Sequence, residues 1–237
     1  MLDAFHNDSE WTMSNHLRVV LELGPKGKRV VAVAPDWPGL SRGAKTEDAA
    51  IETLTAYLPR YAPVARFAGM ESEFAASSVV DVVERYPGTG STDFWGISFA
   101  FSEIDRQPMS DEALERDLTL MRAAWTFFDD VRSRVSAEMQ KGPRGGGRDR
   151  DRIVRHTLVS ELQFAKKFGL TPPVDELMTA DGLAAYRDAY CDALRRLHSE
   201  GKLARTWPLK YLIRHTAFHT LDHSWEMEDK DLTGKGE

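Results

Sequence analysis

The 237-residue sequence is poor in cysteine and contains no long apolar run. Its single cysteine, Cys191, excludes an internal disulfide framework and indicates a reducing compartment. No stretch approaches the ~20 consecutive apolar residues that span a bilayer. The acidic N-terminal stretch MLDAFHNDSEW lacks the apolar core of a signal peptide. We therefore expect a cytoplasmic protein that does not cross a membrane.

The chain also carries no excess of positively charged residues. The chain has 31 Lys and Arg residues against 37 Asp and Glu residues, which gives a formal net charge of −6. This balance argues against a general nucleic-acid-binding protein. Hydrophobic residues make up 42% and charged residues 29%, as in ordinary globular proteins. The length suffices for one large core or two modest ones.

Strand patterns dominate the N-terminal half. Alternating residues 17–22 and the β-rich run 29–34 flank the turn sequence GPKG, which predicts an antiparallel hairpin. Thr46 has the chemistry of a helix N-cap, and a helical pattern follows it as far as Pro59. Residues 79–86 are a further strand candidate.

Helical patterns dominate from Ser110 onward. Apolar residues recur there at spacings of three and four, and glycine- or proline-containing segments interrupt the pattern. The first predicted helix is about 30 residues long and includes Val135 and Met139 on its apolar face. Four amphipathic helices with short connections predict a bundle. Their predicted ranges are 110–139, 149–168, 174–200 and 207–231.

The last of these helices carries three histidines spaced four residues apart, His215, His219 and His223. Each step of four residues rises about 6 Å, so the outer two are about 12 Å apart and only an adjacent pair can share one ion. The spacing places the histidines on or beside the face that points into the bundle. His156, at the edge of the apolar face of the second helix, is the best candidate for a third ligand. Three protein ligands would leave coordination positions open, as in catalytic metal sites.

The segment 110–230 resembles the DinB-like superfamily of four-helix-bundle proteins. The resemblance rests on His156 in IVRHTLVSELQFAKKFG and on His219 and His223 in HTAFHTLDHSWEMED. It selects these three histidines as ligands and implies a divalent metal, zinc, nickel or manganese. It also implies catalysis with a small thiol such as mycothiol, bacillithiol or glutathione. The commonest members follow the last histidine with Arg-Gly-Gln, whereas this chain has Ser-Trp-Glu, which leaves the substrate and the retention of catalysis open.

The stretch 35–58, PDWPGLSRGAKTEDAAIETLTAYL, follows the predicted hairpin and resembles the HicB-like antitoxin domain. The resemblance implies a small antiparallel β-rich fold with a helix across the sheet. Such domains bind partner proteins or nucleic acid and usually lack catalysis. The alternative is that Asp36, Trp37, Pro38 and Gly39 only shape a turn.

Together these patterns predict an α+β chain in four parts. An arm (1–15) precedes a HicB-like domain (16–105), a DinB-like four-helix bundle (106–231) and a short tail (232–237). The predicted function is that of a metal-dependent thiol S-transferase or a related thiol-using enzyme, which acts on a small electrophile and is a possible homodimer. The alternative is a non-enzymatic, partner-binding or regulatory protein.

Several other side chains are candidates for supporting roles near the histidines. Glu161, Glu226 and His215 are predicted to orient a ligand or to line the site, and Asp222 is a weaker candidate. In the glycine-rich stretch 142–148, Arg144 and Arg148 are predicted to bind the carboxylates of a thiol cofactor, together with Arg150 and Arg152. The alternative is that this stretch is a flexible, solvated linker.

Overall fold

The computed structural model describes residues 16–77, 79–143 and 145–234. A four-stranded sheet in the N-terminal part is followed by a mainly helical part, so the predicted mixed α+β class is confirmed. The predicted arm, Arg144 and the last three residues of the predicted tail lie outside the described residues.

The sheet has the strand order β3-β2-β1-β4. The β1–β2 and β2–β3 pairs are antiparallel, which confirms the predicted hairpin, but β4 runs parallel to β1. The prediction of a wholly antiparallel sheet is therefore wrong at one edge. A parallel strand needs a long crossover connection, and the helices between β3 and β4 supply it. The strands are β1 His16–Leu23, β2 Val30–Val33, β3 Ser41–Ala44 and β4 Val79–Pro87.

Five short helices belong to the described N-terminal part. Thr46 caps the first of them by accepting a hydrogen bond from the backbone N–H of Ala49, as predicted. This helix ends at Ala56, before Pro59, in agreement with the predicted limit. Pro59 lies in the first turn of the next helix, α2, where its missing N–H costs nothing. The helices are α1 Glu47–Ala56, α2 Leu58–Phe67, α3 Glu71–Ala76, α4 Gly90–Trp95 and α5 Glu103–Arg106.

An α-helix occupies each of the four predicted C-terminal segments, α6 Asp111–Arg134, α7 Arg150–Ala165, α8 Ala180–Ser199 and α9 Leu209–Asp229. The first helix is shorter than predicted because the backbone of Val135 is extended. Val135 and Met139 are buried, but they belong to the irregular segment that follows α6. A 3₁₀ turn, Glu176–Met178, precedes α8. The helix α9 packs against α6 and α7. In the described ranges no helix has the length and apolarity to cross a membrane.

The sheet and the C-terminal helices share one hydrophobic cluster, which includes Trp37 and Leu221. Gly39, in the proline-containing loop before β3, has φ +95° and lies against α9. A Cβ at this position would lie 2.7 Å from Leu221 Cδ1 and 3.1 Å from the carbonyl carbon of Ala217. Arg42 on β3 also binds α9, through Asp222. The N-terminal part therefore packs directly on the helix that carries the histidines.

Candidate metal centre

Two helices bring three histidines together. His156 comes from α7, and His219 and His223 come from successive turns of α9. One ring nitrogen of each can be chosen so that all three lie within 4.8 Å of one another. The ring centroids are 4.6 Å apart for His219 and His223, 4.8 Å for His156 and His223, and 5.5 Å for His156 and His219. These are the three residues predicted as ligands.

The donor set fits a divalent transition metal. Zinc–imidazole bonds of ~2.0–2.1 Å in a tetrahedral site place the nitrogens about 3.3 Å apart. In the structure these nitrogens lie within 4.8 Å of one another. Each nitrogen–nitrogen distance therefore has to shorten by at most about 1.5 Å, which side-chain rotation can provide. Neutral imidazole suits zinc, nickel and other first-row metals, so the donors alone do not select one.

The histidines differ in burial, and the group opens to solvent on one side. His223 is buried, His219 is half-buried and His156 is exposed. Burial, together with the smaller effects of the neighbouring His223, His215, His156 and Arg148, lowers the pKa of His219 to about 2. Burial also lowers the pKa of His156. Both rings are therefore neutral near pH 7, which is the form that binds metal.

Glu226 fixes the orientation of His223. The Nδ1 of His223 and the Oε2 of Glu226 are 2.7 Å apart, and the same carboxylate accepts hydrogen bonds from Arg148 and Lys230. Burial alone would raise the pKa of Glu226, but the hydrogen bonds from His223 and Lys230 outweigh it and lower that pKa to about 2. An ionised Glu226 accepts a hydrogen bond from the Nδ1–H group of His223, so the lone pair of Nε2 is left for a metal.

His215 lies in an aromatic environment beside the three clustered histidines. It is buried and stacks on Tyr211 with a centroid distance of 5.2 Å and an interplanar angle of 16°. Phe164 and Trp207 approach the same ring at 5.1 and 5.5 Å. Burial lowers the pKa of His215 to about 3, and the charge of Arg214 adds to the effect. His215 is therefore a neutral ring that adjoins the candidate metal centre.

Glu161 and Asp222 make their contacts elsewhere. Glu161 is buried and accepts a hydrogen bond from Trp125 Nε1 at 2.9 Å, rather than from a histidine. Burial raises the pKa of Glu161 to about 7, although the charge of Arg187 acts to lower it. Asp222 accepts a hydrogen bond from Arg42 Nη1 at 3.1 Å, which links α9 to the sheet.

The structure places one predicted loop arginine at the site and adds two residues that were not predicted. Arg148 lies 3.1 Å from Glu226, whereas Arg144 lies outside the described residues. Lys230 binds the same carboxylate, and its i,i+4 spacing from Glu226 was a usable signal. The ring of Phe164 lies 5.9 Å from that of His219. The sequence placed Phe164 on an apolar helix face but did not place it next to a ligand.

Comparisons with protein-family models, with curated proteins and with solved structures found no match to this chain. The features that bear on function are therefore the geometry of His156, His219, His223 and Glu226 and the resemblance carried by the histidine spacing.

Proposed function

We propose that the chain is a divalent-metal-binding protein in which α6, α7, α8 and α9 form a DinB-like four-helix bundle, and that the metal serves thiol S-transfer. The observation that carries the proposal is the convergence of His156 with His219 and His223 across two helices. One ligand on the second long helix and an H-x-x-x-H pair on the last one is the arrangement that the DinB-like resemblance implies.

Each side chain at the centre has a role in this proposal. His156, His219 and His223 hold the ion, and Glu226 keeps Nδ1 of His223 protonated so that its other nitrogen faces the ion. Arg148, which is bonded to Glu226 and partly exposed, is placed to bind a carboxylate of the thiol or the electrophile.

A divalent cation held there would favour the thiolate form of a bound thiol, which is the nucleophilic form. In the overall transfer, a bond forms between sulfur and the electrophilic carbon, and the thiol proton passes to solvent. The leaving group departs with its bonding electron pair. Three protein ligands leave coordination positions for such small molecules, whereas structural zinc sites have four protein ligands.

The second candidate is a non-enzymatic, partner-binding or regulatory protein with a HicB-like N-terminal module. One observation favours it. Phe94 and Trp95 are 71% and 62% exposed, and their ring centroids are 4.5 Å apart. Neighbouring exposed aromatic rings are typical of surfaces that bind other molecules.

A turnover assay separates the two candidates. The full chain, loaded in turn with zinc, nickel and manganese, is incubated with glutathione, mycothiol or bacillithiol and with 1-chloro-2,4-dinitrobenzene, and thiol consumption is measured. Turnover that requires metal and is lost in His219→Ala but retained in His198→Ala supports the enzyme. His198 is a suitable control because it lies in the last turn of α8, where its ring binds Asp111 of α6. Stoichiometric metal without turnover for any thiol favours the partner-binding protein.

A further inference from the structure

Beside the candidate metal centre, three aromatic side chains reach the molecular surface around His215. The ring centroids of Phe164, Trp207 and Phe99 lie 5.1, 5.5 and 5.7 Å from that of His215. Phe99 is 37% exposed, and Phe164 and Trp207 are half-buried. We refer to Phe99, Phe164 and Trp207 as the aromatic surface.

The aromatic surface extends from His219, one of the metal-ligand candidates, towards Trp207. Phe164 lies 5.9 Å from His219, and Trp207 lies 6.0 Å from Phe164. The rings come from different elements, since Phe164 is on α7 and Trp207 precedes α9. A flat molecule that reaches the ion at one end would therefore lie along Phe164 towards Trp207. Aromatic rings favour offset-stacked and edge-to-face contacts at these centroid distances.

A positive charge stands at the far end of the aromatic surface. Lys167 Nζ lies 3.8 Å from the ring centroid of Trp207. Among the described residues no carboxylate forms a salt bridge with Lys167, whereas Arg148 is paired with Glu226 and Arg214 with Asp105. Burial lowers the pKa of Lys167, and the nearby Arg205 contributes. An anionic group of a ligand would be attracted to this end.

We propose that the aromatic surface binds the substrate that reacts at the metal, and that this substrate is an aromatic molecule with an anionic substituent. Its ring lies on Phe164 and Trp207, its reacting group faces the three histidines, and its anionic group lies at Lys167. This inference rests on the proposed function, because it names the class of molecule that the same site accepts.

Binding measurements on the zinc-loaded full chain test the aromatic part of the proposal. Calorimetry gives the affinities of phenylmethanethiol and cyclohexylmethanethiol, which present a flat and a non-flat ring on the same linker. We expect the aromatic thiol to bind about three- to tenfold more tightly, the range typical of a favourable aromatic pair. Phe164→Leu should abolish this preference. Phe168→Leu should retain it, because the ring of Phe168 packs on Tyr190, whereas the ring of Phe164 packs on His219.

Lys167→Met tests the anionic part. We expect 4-(sulfanylmethyl)benzoate to bind about two- to fivefold more tightly than phenylmethanethiol, as for a partly exposed ion pair. Lys167→Met should remove that gain, so that the variant binds the two thiols with equal affinity.

Metal content, measured on the same samples, distinguishes failure of the proposed function from failure of this inference alone. Protein that retains no metal after loading with zinc, nickel or manganese in turn would overturn the proposed function and this inference with it. Zinc-loaded protein that binds all three thiols equally, or that keeps its aromatic preference in Phe164→Leu, would overturn this inference alone.

Discussion

His223 and Glu226 are joined by a short hydrogen bond, 2.7 Å between Nδ1 and Oε2, within one turn of α9. Residues three apart lie on the same face of a helix, so the backbone itself brings the carboxylate to the imidazole. Arg148 and Lys230 bind the same carboxylate and keep it ionised. The Glu226 carboxylate thus orients His223, and Arg148 and Lys230 hold that carboxylate in place.

Replacement of Glu226 should weaken metal binding without removing a ligand. We expect Glu226→Gln to reduce zinc affinity by about 10- to 100-fold, the usual cost of losing a hydrogen-bond partner of a metal ligand. Competition with a chromogenic chelator measures the affinity. Glu228→Gln is the matched control, because Glu228 binds Arg60 and Arg134 instead. Equal zinc affinities for the two variants would contradict the orienting role.

We also expect the imidazole of His219 to be neutral in the metal-free protein. Its pKa in the metal-free protein is lowered, by burial above all, from the ordinary value of 6.5 to about 2. In a pH titration followed by NMR, the imidazole signals of His219 should not shift between pH 8 and pH 5. Because the unfolded chain takes up this proton near pH 6.5, the metal-free fold should lose stability as the pH falls below that value. A titration midpoint near 6.5 would show that the ring is not buried in this way.

Glu161 should make stability depend on pH in the opposite direction. Burial raises its pKa from the ordinary value of 4.5 to about 7, so the folded state binds the proton more tightly. The resulting stabilisation is present at low pH and is lost as the pH rises through 7. Relative to Glu161→Gln, we expect the wild type to lose on the order of 3 kcal/mol of unfolding free energy between pH 4.5 and 7.5.

Urea unfolding at several pH values measures this difference. The exposed Glu138→Gln variant is the control and should follow the wild type at every pH. A difference between wild type and Glu161→Gln that does not change with pH would contradict the prediction.

The buried ion pair between Arg214 and Asp105 should be important for stability. Two hydrogen bonds of 2.7 Å join them, and both side chains are almost fully buried. Asp105→Asn leaves the arginine charge buried without its partner, which typically costs about 3–5 kcal/mol. Glu115→Gln, which breaks an exposed pair with Arg195, should cost less than about 1 kcal/mol. Urea unfolding of both variants at one pH tests this, and equal losses would be inconsistent with a buried pair.

Local patterns predicted the C-terminal helices and the proximity of His156, His219 and His223. The N-caps Thr46 and Ser110 have side chains that accept a backbone hydrogen bond in a helical first turn, and they do so in the structure. The spacing of His219 and His223 placed both on one face of α9, and the apolar face of α7 placed His156 towards it. These features depend on helical periodicity, which the sequence displays directly.

Features that depend on tertiary contacts could not be predicted in this way. The direction of β4 depends on a crossover through three helices, and an isolated strand pattern carries no information about direction. The end of α6 could not be predicted from the apolar pattern, because Val135 and Met139 continue that pattern and are buried although they lie beyond the helix. Glu161 was predicted to lie near the histidines, but its partner, Trp125, comes from α6 and no spacing within α7 indicates it.

Metal content of the purified protein tests the central claim most directly. The full chain is purified without chelators, supplied with zinc, passed through a desalting column and analysed by inductively coupled plasma mass spectrometry. We predict about one equivalent in wild type and in His198→Ala, and almost none in His156→Ala and His219→Ala, because two remaining imidazoles hold a divalent ion poorly. Wild-type protein without stoichiometric metal, or His219→Ala with as much metal as wild type, would contradict the three-histidine centre.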